Sequence, residues 1–213
     1  MIKNVILLVV SFYIGTCLGD AILRHTEVSI PKGQLTKEIQ FVRIESVVAN
    51  RPHSSCSGAI VATNLVLTAK HCTEIGATYR VFIEFLKKSE PFVFQQAGMG
   101  DDFAQDWALL SGNTGTIAPL VVQADLPPFF DKLVLVGYPQ ATPQLMRGTR
   151  FIDSGIVSQN FILLGEAAPG DSGGPLVNMQ GEIVGIASRS VYPIPIFLAV
   201  AASKFVEAIR AHH

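Results

Sequence analysis

From residue 40 onward the chain is a succession of short apolar runs separated by turn-forming residues. Candidate strands fall at 40–48, 57–62, 65–68, 78–85 and 91–96, then at 107–110 after a polar gap at 98–105. A Gly- and Thr-rich connector at 111–118 leads to a second series at 132–137, 148–153, 155–158, 161–164, 175–178, 182–187 and 194–199. Many short strands at regular spacing, with Gly and Pro between them, predict an all-β chain built as barrels or a sandwich. Only the end has a helical period. Across 201–211, Phe205, Val206 and Ile209 share one face, with Lys204, Glu207 and Arg210 away from it. No internal repeat and no low-complexity segment interrupts the pattern.

Composition narrows the class. Of 213 residues, 49% are hydrophobic and 15% charged, enough apolar material for a core. The formal net charge is −1, with no run of one sign. That excludes an electrostatic nucleic-acid binder, which needs a concentrated basic face. The N-terminus reads as a separate segment. Lys3 supplies a positive start, Val5 to Ile14 is apolar apart from Ser11, and Cys17 and Gly19 are small residues placed for cleavage. A signal peptide at 1–19 is expected, leaving a secreted chain at 20–213, extracellular or periplasmic, with no stable membrane association. An uncleaved anchor would be short of the roughly 20 residues that span a bilayer. Lipidation at Cys17 would have to follow Ile14-Gly15-Thr16, a poor signal for it.

Cleavage removes Cys17 and leaves the pair Cys56 and Cys72. In an exported chain that even count suggests a disulfide, and in the cytosol the two would be core thiols. No Cys/His grouping has zinc-site spacing, so no metal or other cofactor is expected.

The candidate chemistry centres on Gly170-Asp171-Ser172-Gly173-Gly174-Pro175. A serine between glycines can sit on a tight turn with its oxygen exposed and backbone N–H groups converging nearby. The same short pattern also occurs in ordinary Gly-rich turns. A nucleophile needs a base, and His71 follows an apolar strand in Leu67-Thr68-Ala69-Lys70-His71-Cys72, beside the candidate cross-link. His53 reads as a solvated loop residue. Asp106 opens the apolar run Asp106-Trp107-Ala108-Leu109-Leu110 and is placed to orient the base, whereas Asp101, Asp102, Asp125 and Asp131 read as surface carboxylates. Chain order then discriminates. An α/β-hydrolase needs Asp or Glu and then a histidine after its serine, and after Ser172 there is no Asp and no histidine but His212-His213 at the very end. The order of subtilisin needs an Asp before the histidine, and the one Asp before His71 is Asp20, at the signal boundary. His71, Asp106, Ser172 is the remaining order.

These segments resemble the chymotrypsin/trypsin family of serine peptidases. The likeness extends to the Cys56–Cys72 spacing, Val184-Gly185-Ile186-Ala187-Ser188 and the terminal helix, covering roughly residues 37–210. It implies two antiparallel six-stranded β-barrels, the first over about 37–115 with His71 and Asp106 and the second over about 119–200 with Ser172. The active site would lie between them. It also implies an oxyanion hole from the Gly170 and Ser172 N–H groups, and a protein or peptide substrate. By the family's spacing Glu166 would stand at the base of the primary pocket, with Ser188, Ser190 and Pro195 at its walls. A carboxylate there would favour Arg or Lys before the cut, and a small or apolar preference is the other reading. Val136-Gly137-Tyr138-Pro139, Gly155-Ile156-Val157-Ser158 and Ala168-Pro169-Gly170 are similar to compact bacterial and HtrA-like members, without a PDZ-sized segment after the catalytic domain. An Ile-Val-Gly-Gly activation site is missing, so Asp171 has no evident cationic partner in the sequence. A catalytically idle binding or adhesion module of the same fold is the competing reading.

Overall fold

The computed structural model describes residues 41–83, 92–100, 105–113, 117–141, 145–154, 160–191 and 194–212. The expected signal peptide, Asp101, Asp102 and the strand expected at 155–158 lie outside them. Six strands make the first half: β1 (Phe41–Val48), β2 (Arg51–Ala62), β3 (Leu65–Thr68), β4 (Thr78–Phe82), β5 (Phe92–Met99) and β6 (Ala108–Ser111). Six more make the second: β7 (Lys132–Gly137), β8 (Leu145–Ser154), β9 (Phe161–Leu164), β10 (Pro175–Val177), β11 (Ile183–Ser190) and β12 (Ile196–Ala201). Each set closes into an antiparallel barrel, ordered β1-β2-β3-β6-β5-β4 and β7-β8-β9-β12-β11-β10. Both halves therefore follow one topology, although no residue pattern repeats between them.

The apolar runs explain themselves in this arrangement. A strand with one wet face alternates apolar and polar residues, but β3, β6 and β7 are buried on both faces. Along β7, Leu133 and Leu135 fill the second barrel, whereas Val134 and Val136 join a core shared between the barrels. Along β3 and β6, Val66 and Leu110 point into the first barrel, and Leu65, Leu67 and Leu109 point to the shared core. Phe41, Trp107, Tyr138, Ile186 and Val200 complete that seam.

The terminal helix is shorter than the pattern suggested. A 3₁₀ turn at Ala202–Lys204 precedes α1 (Val206–Arg210), and Ala201 still belongs to β12. Its expected face holds, with Phe205, Val206 and Ile209 buried and Phe205 and Ile209 packed in the shared core. The loop assigned to His53 is instead the exposed start of β2, where His53 pairs with Glu74 at 2.9 Å. Its polar sequence concealed the pairing because that end of the strand faces solvent.

Cys56 and Cys72 form a disulfide that closes a span of 16 residues. By chain entropy such a loop contributes about 3 kcal/mol. It ties β2 to the 3₁₀ turn Lys70–Cys72, and both elements bear on the site below.

Candidate active site

His71 sits on that 3₁₀ turn, directly after β3. Asp106 immediately precedes Trp107 and β6, which pairs with β3, so the sheet register brings the two together. Asp106 Oδ1 accepts the His71 backbone N–H at 3.0 Å, and Oδ2 lies 2.8 Å from His71 Nδ1. A third donor crosses from the second barrel, the Ser188 hydroxyl, 2.5 Å from Oδ2. Asp106 is only 4% exposed. Burial by itself would push its carboxyl up. The hydrogen bonds from His71 and Ser188, with the charge of His71, outweigh burial and hold it below the ordinary value.

The turn carrying Ser172 can be followed peptide by peptide. The Gly170 carbonyl accepts the Ser57 hydroxyl at 2.7 Å, and across the same peptide the Asp171 N–H donates to Ala168 O at 3.0 Å. The Ser172 carbonyl accepts the Ser57 N–H at 2.9 Å, and the Gly173 N–H donates to Ala187 O at 2.8 Å. These two peptides are held at both ends. The two that alternate with them are held at the carbonyl alone. Pro169 O accepts Gln140 N–H at 2.7 Å, and Asp171 O accepts Gly174 N–H at 2.8 Å. In a trans peptide N–H and C=O point opposite ways, so fixing those carbonyls aims the Gly170 and Ser172 N–H groups away from them. Neither N–H meets an acceptor among the described residues.

The glycines of the motif are required by two positions. Gly170 has φ +100°, and a Cβ there would lie 2.4 Å from Tyr138 O. Gly173 has φ +77°, and a Cβ would lie 2.2 Å from Thr68 Oγ1 and 2.5 Å from Ala69 N. Any side chain at either position would lift the turn from its seat.

Asp171 is fully buried, and its missing partner is Arg147 of β8. The two form an ion pair, and Asp171 Oδ2 also accepts the Ala168 N–H at 2.6 Å. The guanidinium acts through charge more than through aimed hydrogen bonds. Arg147 Nε and Nη2 and Asp171 Oδ1 have no well-directed partner among the described residues.

Beside Ser172 opens a cavity of about 350 Å³, lined by residues that include Ala167, Ala168, Ala187, Ser188, Arg189 and Ser190. Ser190 Oγ donates to Ala167 O at 2.6 Å across it. Glu166 is exposed and does not line this cavity. The structure thus brings His71, Asp106 and Ser188 into direct contact and seats Ser172 and Gly170 on one turn against Ser57. Sequence reasoning missed Ser57, Arg147 and the bond of Ser188 to Asp106. Ser57 had a faint signal as a polar residue at the head of a buried run, and Arg147 had none.

Two closed barrels, with a His–Asp pair and a Gly-flanked serine turn at their seam, have the architecture of double-barrel serine peptidases. The sequence profile of the family described as Trypsin matches residues 30–194, and the chain belongs to that family. Solved structures share the fold at low identity. One is the serine endoprotease from Yersinia pestis, with a TM-score of 0.71 and 21% identity over 83% of this chain and 65% of that one. Another is the Rv3671c protease of M. tuberculosis in its active form, with a TM-score of 0.67 and 18% identity over 81% of this chain and 80% of that one. The inactive form of Rv3671c gives 0.65 and 21%, over 82% of this chain and 89% of that one. No curated protein sequence matches the chain.

Two predictions follow from the charges. With its folded pKa depressed, Asp106 stabilises the fold above its unfolded pKa of roughly 4, and the contribution disappears as pH falls through the folded value. Urea melts from pH 7 to 2 should show the stability gap between wild type and Asp106→Asn steady above about pH 4 and shrinking below it. Arg147→Met leaves a buried carboxylate unpaired and should cost about 3 kcal/mol, with Asp171→Asn in the same chain recovering a large part. A double-mutant cycle by denaturant unfolding measures this, and additive losses would mean the pair is not coupled.

Proposed function

We propose that the chain is a secreted serine endopeptidase that hydrolyses peptide bonds through an acyl-enzyme on Ser172. The observation that carries this reading is the pair of N–H groups, Gly170 and Ser172, that meet no acceptor among the described residues, on a turn pinned around them. Buried or half-buried donors without partners are costly, and they persist where a site needs them aimed at developing charge. His71, with Nδ1 against Asp106, keeps Nε2 available as the base.

In the proposed reaction Ser172 Oγ adds to the scissile carbonyl as its proton passes to His71 Nε2. The carbonyl oxygen becomes an oxyanion, stabilised by the Gly170 and Ser172 N–H groups. Asp106 holds the imidazole tautomer and stabilises the imidazolium. The C–N bond then breaks, His71 returns the proton to the leaving amine, and the acyl group remains on Ser172. Water repeats the sequence, giving its proton to His71 and releasing the carboxylic acid and free serine. No step uses a metal or other cofactor.

Secretion is supported by the disulfide, since such bonds persist in oxidising compartments. No helix among the described residues is long and apolar enough to cross a membrane. Protein or peptide substrates follow from the family. For the residue before the cut, the cavity favours a small or apolar side chain over Arg or Lys. Three alanines line it, and the one carboxylate at its wall, Asp171, is already taken by Arg147 and the Ala168 N–H.

A fluorophosphonate probe should label Ser172 of the signal-free protein, as located by mass spectrometry, and the adduct should vanish in Ser172→Ala. Folded wild type that stays unlabelled would instead support the idle binding module. Cleavage of a peptide library should concentrate after small and apolar residues, and dominant cutting after Arg or Lys would return Glu166 to the pocket.

A further inference from the structure

We infer that Ser57 is a positioning residue for this reaction, a clamp from the first barrel that fixes the seat of the turn carrying both oxyanion donors. This rests on the peptidase reading above. Ser57 follows Cys56 on β2 and is 1% exposed. Its hydroxyl donates to the Gly170 carbonyl at 2.7 Å and accepts the Tyr138 N–H at 2.9 Å. Its backbone N–H donates to the Ser172 carbonyl at 2.9 Å, and its own carbonyl accepts the Thr68 hydroxyl at 2.8 Å. Every hydrogen-bonding group of Ser57 is therefore engaged.

The consequence lies in which peptides it holds. Ser57 binds the 170–171 and 172–173 peptides, the ones that flank and alternate with the two donor peptides. A donor peptide can flip about its own Cα–Cα axis while its neighbours stay in place, and the bonds at its own carbonyl oppose that flip. What Ser57 sets is where the ends of those peptides lie. The Tyr138 N–H extends the clamp to the end of β7, which leads into the turn whose Gln140 N–H holds Pro169 O. That turn keeps Gln140 and Ala141 in the left-handed region, at φ 52° and 56°, a conformation that non-glycine residues adopt only when their surroundings enforce it. One hydroxyl thus coordinates both supports of the Gly170 N–H. The neighbouring disulfide fixes Cys56, and through it the position of Ser57 relative to His71.

Ser57→Ala keeps the backbone N–H and removes the hydroxyl alone. Thr149→Val is the matched control. It deletes a buried hydroxyl that donates to Leu164 O at 2.8 Å between β8 and β9, a bond of the same kind in the wall of the second barrel. With wild type first shown to take the fluorophosphonate label, Ser57→Ala should lower kcat by about 10- to 100-fold, with KM for a short peptide substrate changed by less than about threefold. Affinity for a peptide aldehyde, whose adduct places an oxyanion in the hole, should fall in parallel, while product peptide binds as before. Thr149→Val, at a similar loss of melting temperature, should leave kcat and aldehyde affinity near wild type. Equal effects in the two variants, or a wild-type kcat in Ser57→Ala, would overturn the inference and leave the peptidase reading intact. Wild type that neither labels nor cleaves would withdraw both. Should Ser57→Ala not fold, Ser57→Cys takes its place, filling the site with a thiol that donates and accepts only weakly. The same parallel loss of kcat and aldehyde affinity is expected there, and unchanged values would overturn the inference.

Discussion

Where the second barrel meets the first, the backbone at Gly173 runs so close to Thr68, Ala69 and Ser57 that no side chain could stand between them. The serine turn is laid directly on β2 and the end of β3, backbone against backbone. That contact lets Ser57 bind two of its carbonyls and leaves the Gly170 and Ser172 N–H groups without acceptors among the described residues. It also sets Ser172 beside the turn that carries His71, since the Cys56–Cys72 bridge joins β2 to that turn. Close approach needs glycine, glycine needs pinning to stay ordered, and the pins come from the opposite barrel.

Such a seat requires that the barrels be held firmly together, and the apolar runs accomplish this. A barrel that stood alone would show water one face of every strand. Here β2, β3, β6 and β7 bury both faces, one within a barrel and one in the shared core. Terminal residues Phe205 and Ile209 close the same core. The hydrophobic effect is not directional, so it brings the halves together, and the polar bonds of Ser57 and Ser188 set the register.

What was legible in the sequence follows from these physics. Apolar runs and turn residues act locally, so most strands of both barrels could be read with ends off by a few residues. The polar start of β2 and the early start of β8 could not, because pairing there depends on partner strands and not on the residues' own pattern. Ser172, His71 and Asp106 stood out because each sits in a local motif. Ser57, Ser188 and Arg147 work by long-range contact. Ser188 reaches a residue 82 positions away in the chain, and Ser57 one 113 away. Nothing in a neighbourhood of a few residues encodes such a meeting. Glu166 shows the converse, a position counted from a motif that the loop leaves in solvent.

Both barrels have the same strand order, and neither holds a complete site. They are joined at the site by two hydrogen-bonded points, Ser57 with the serine turn and Ser188 with Asp106. Each point takes one partner from either barrel, and the shared apolar core holds the barrels in the one orientation that satisfies both. The candidate site therefore comes into being only when the whole chain has folded, so a partly folded chain carries its pieces without assembling them.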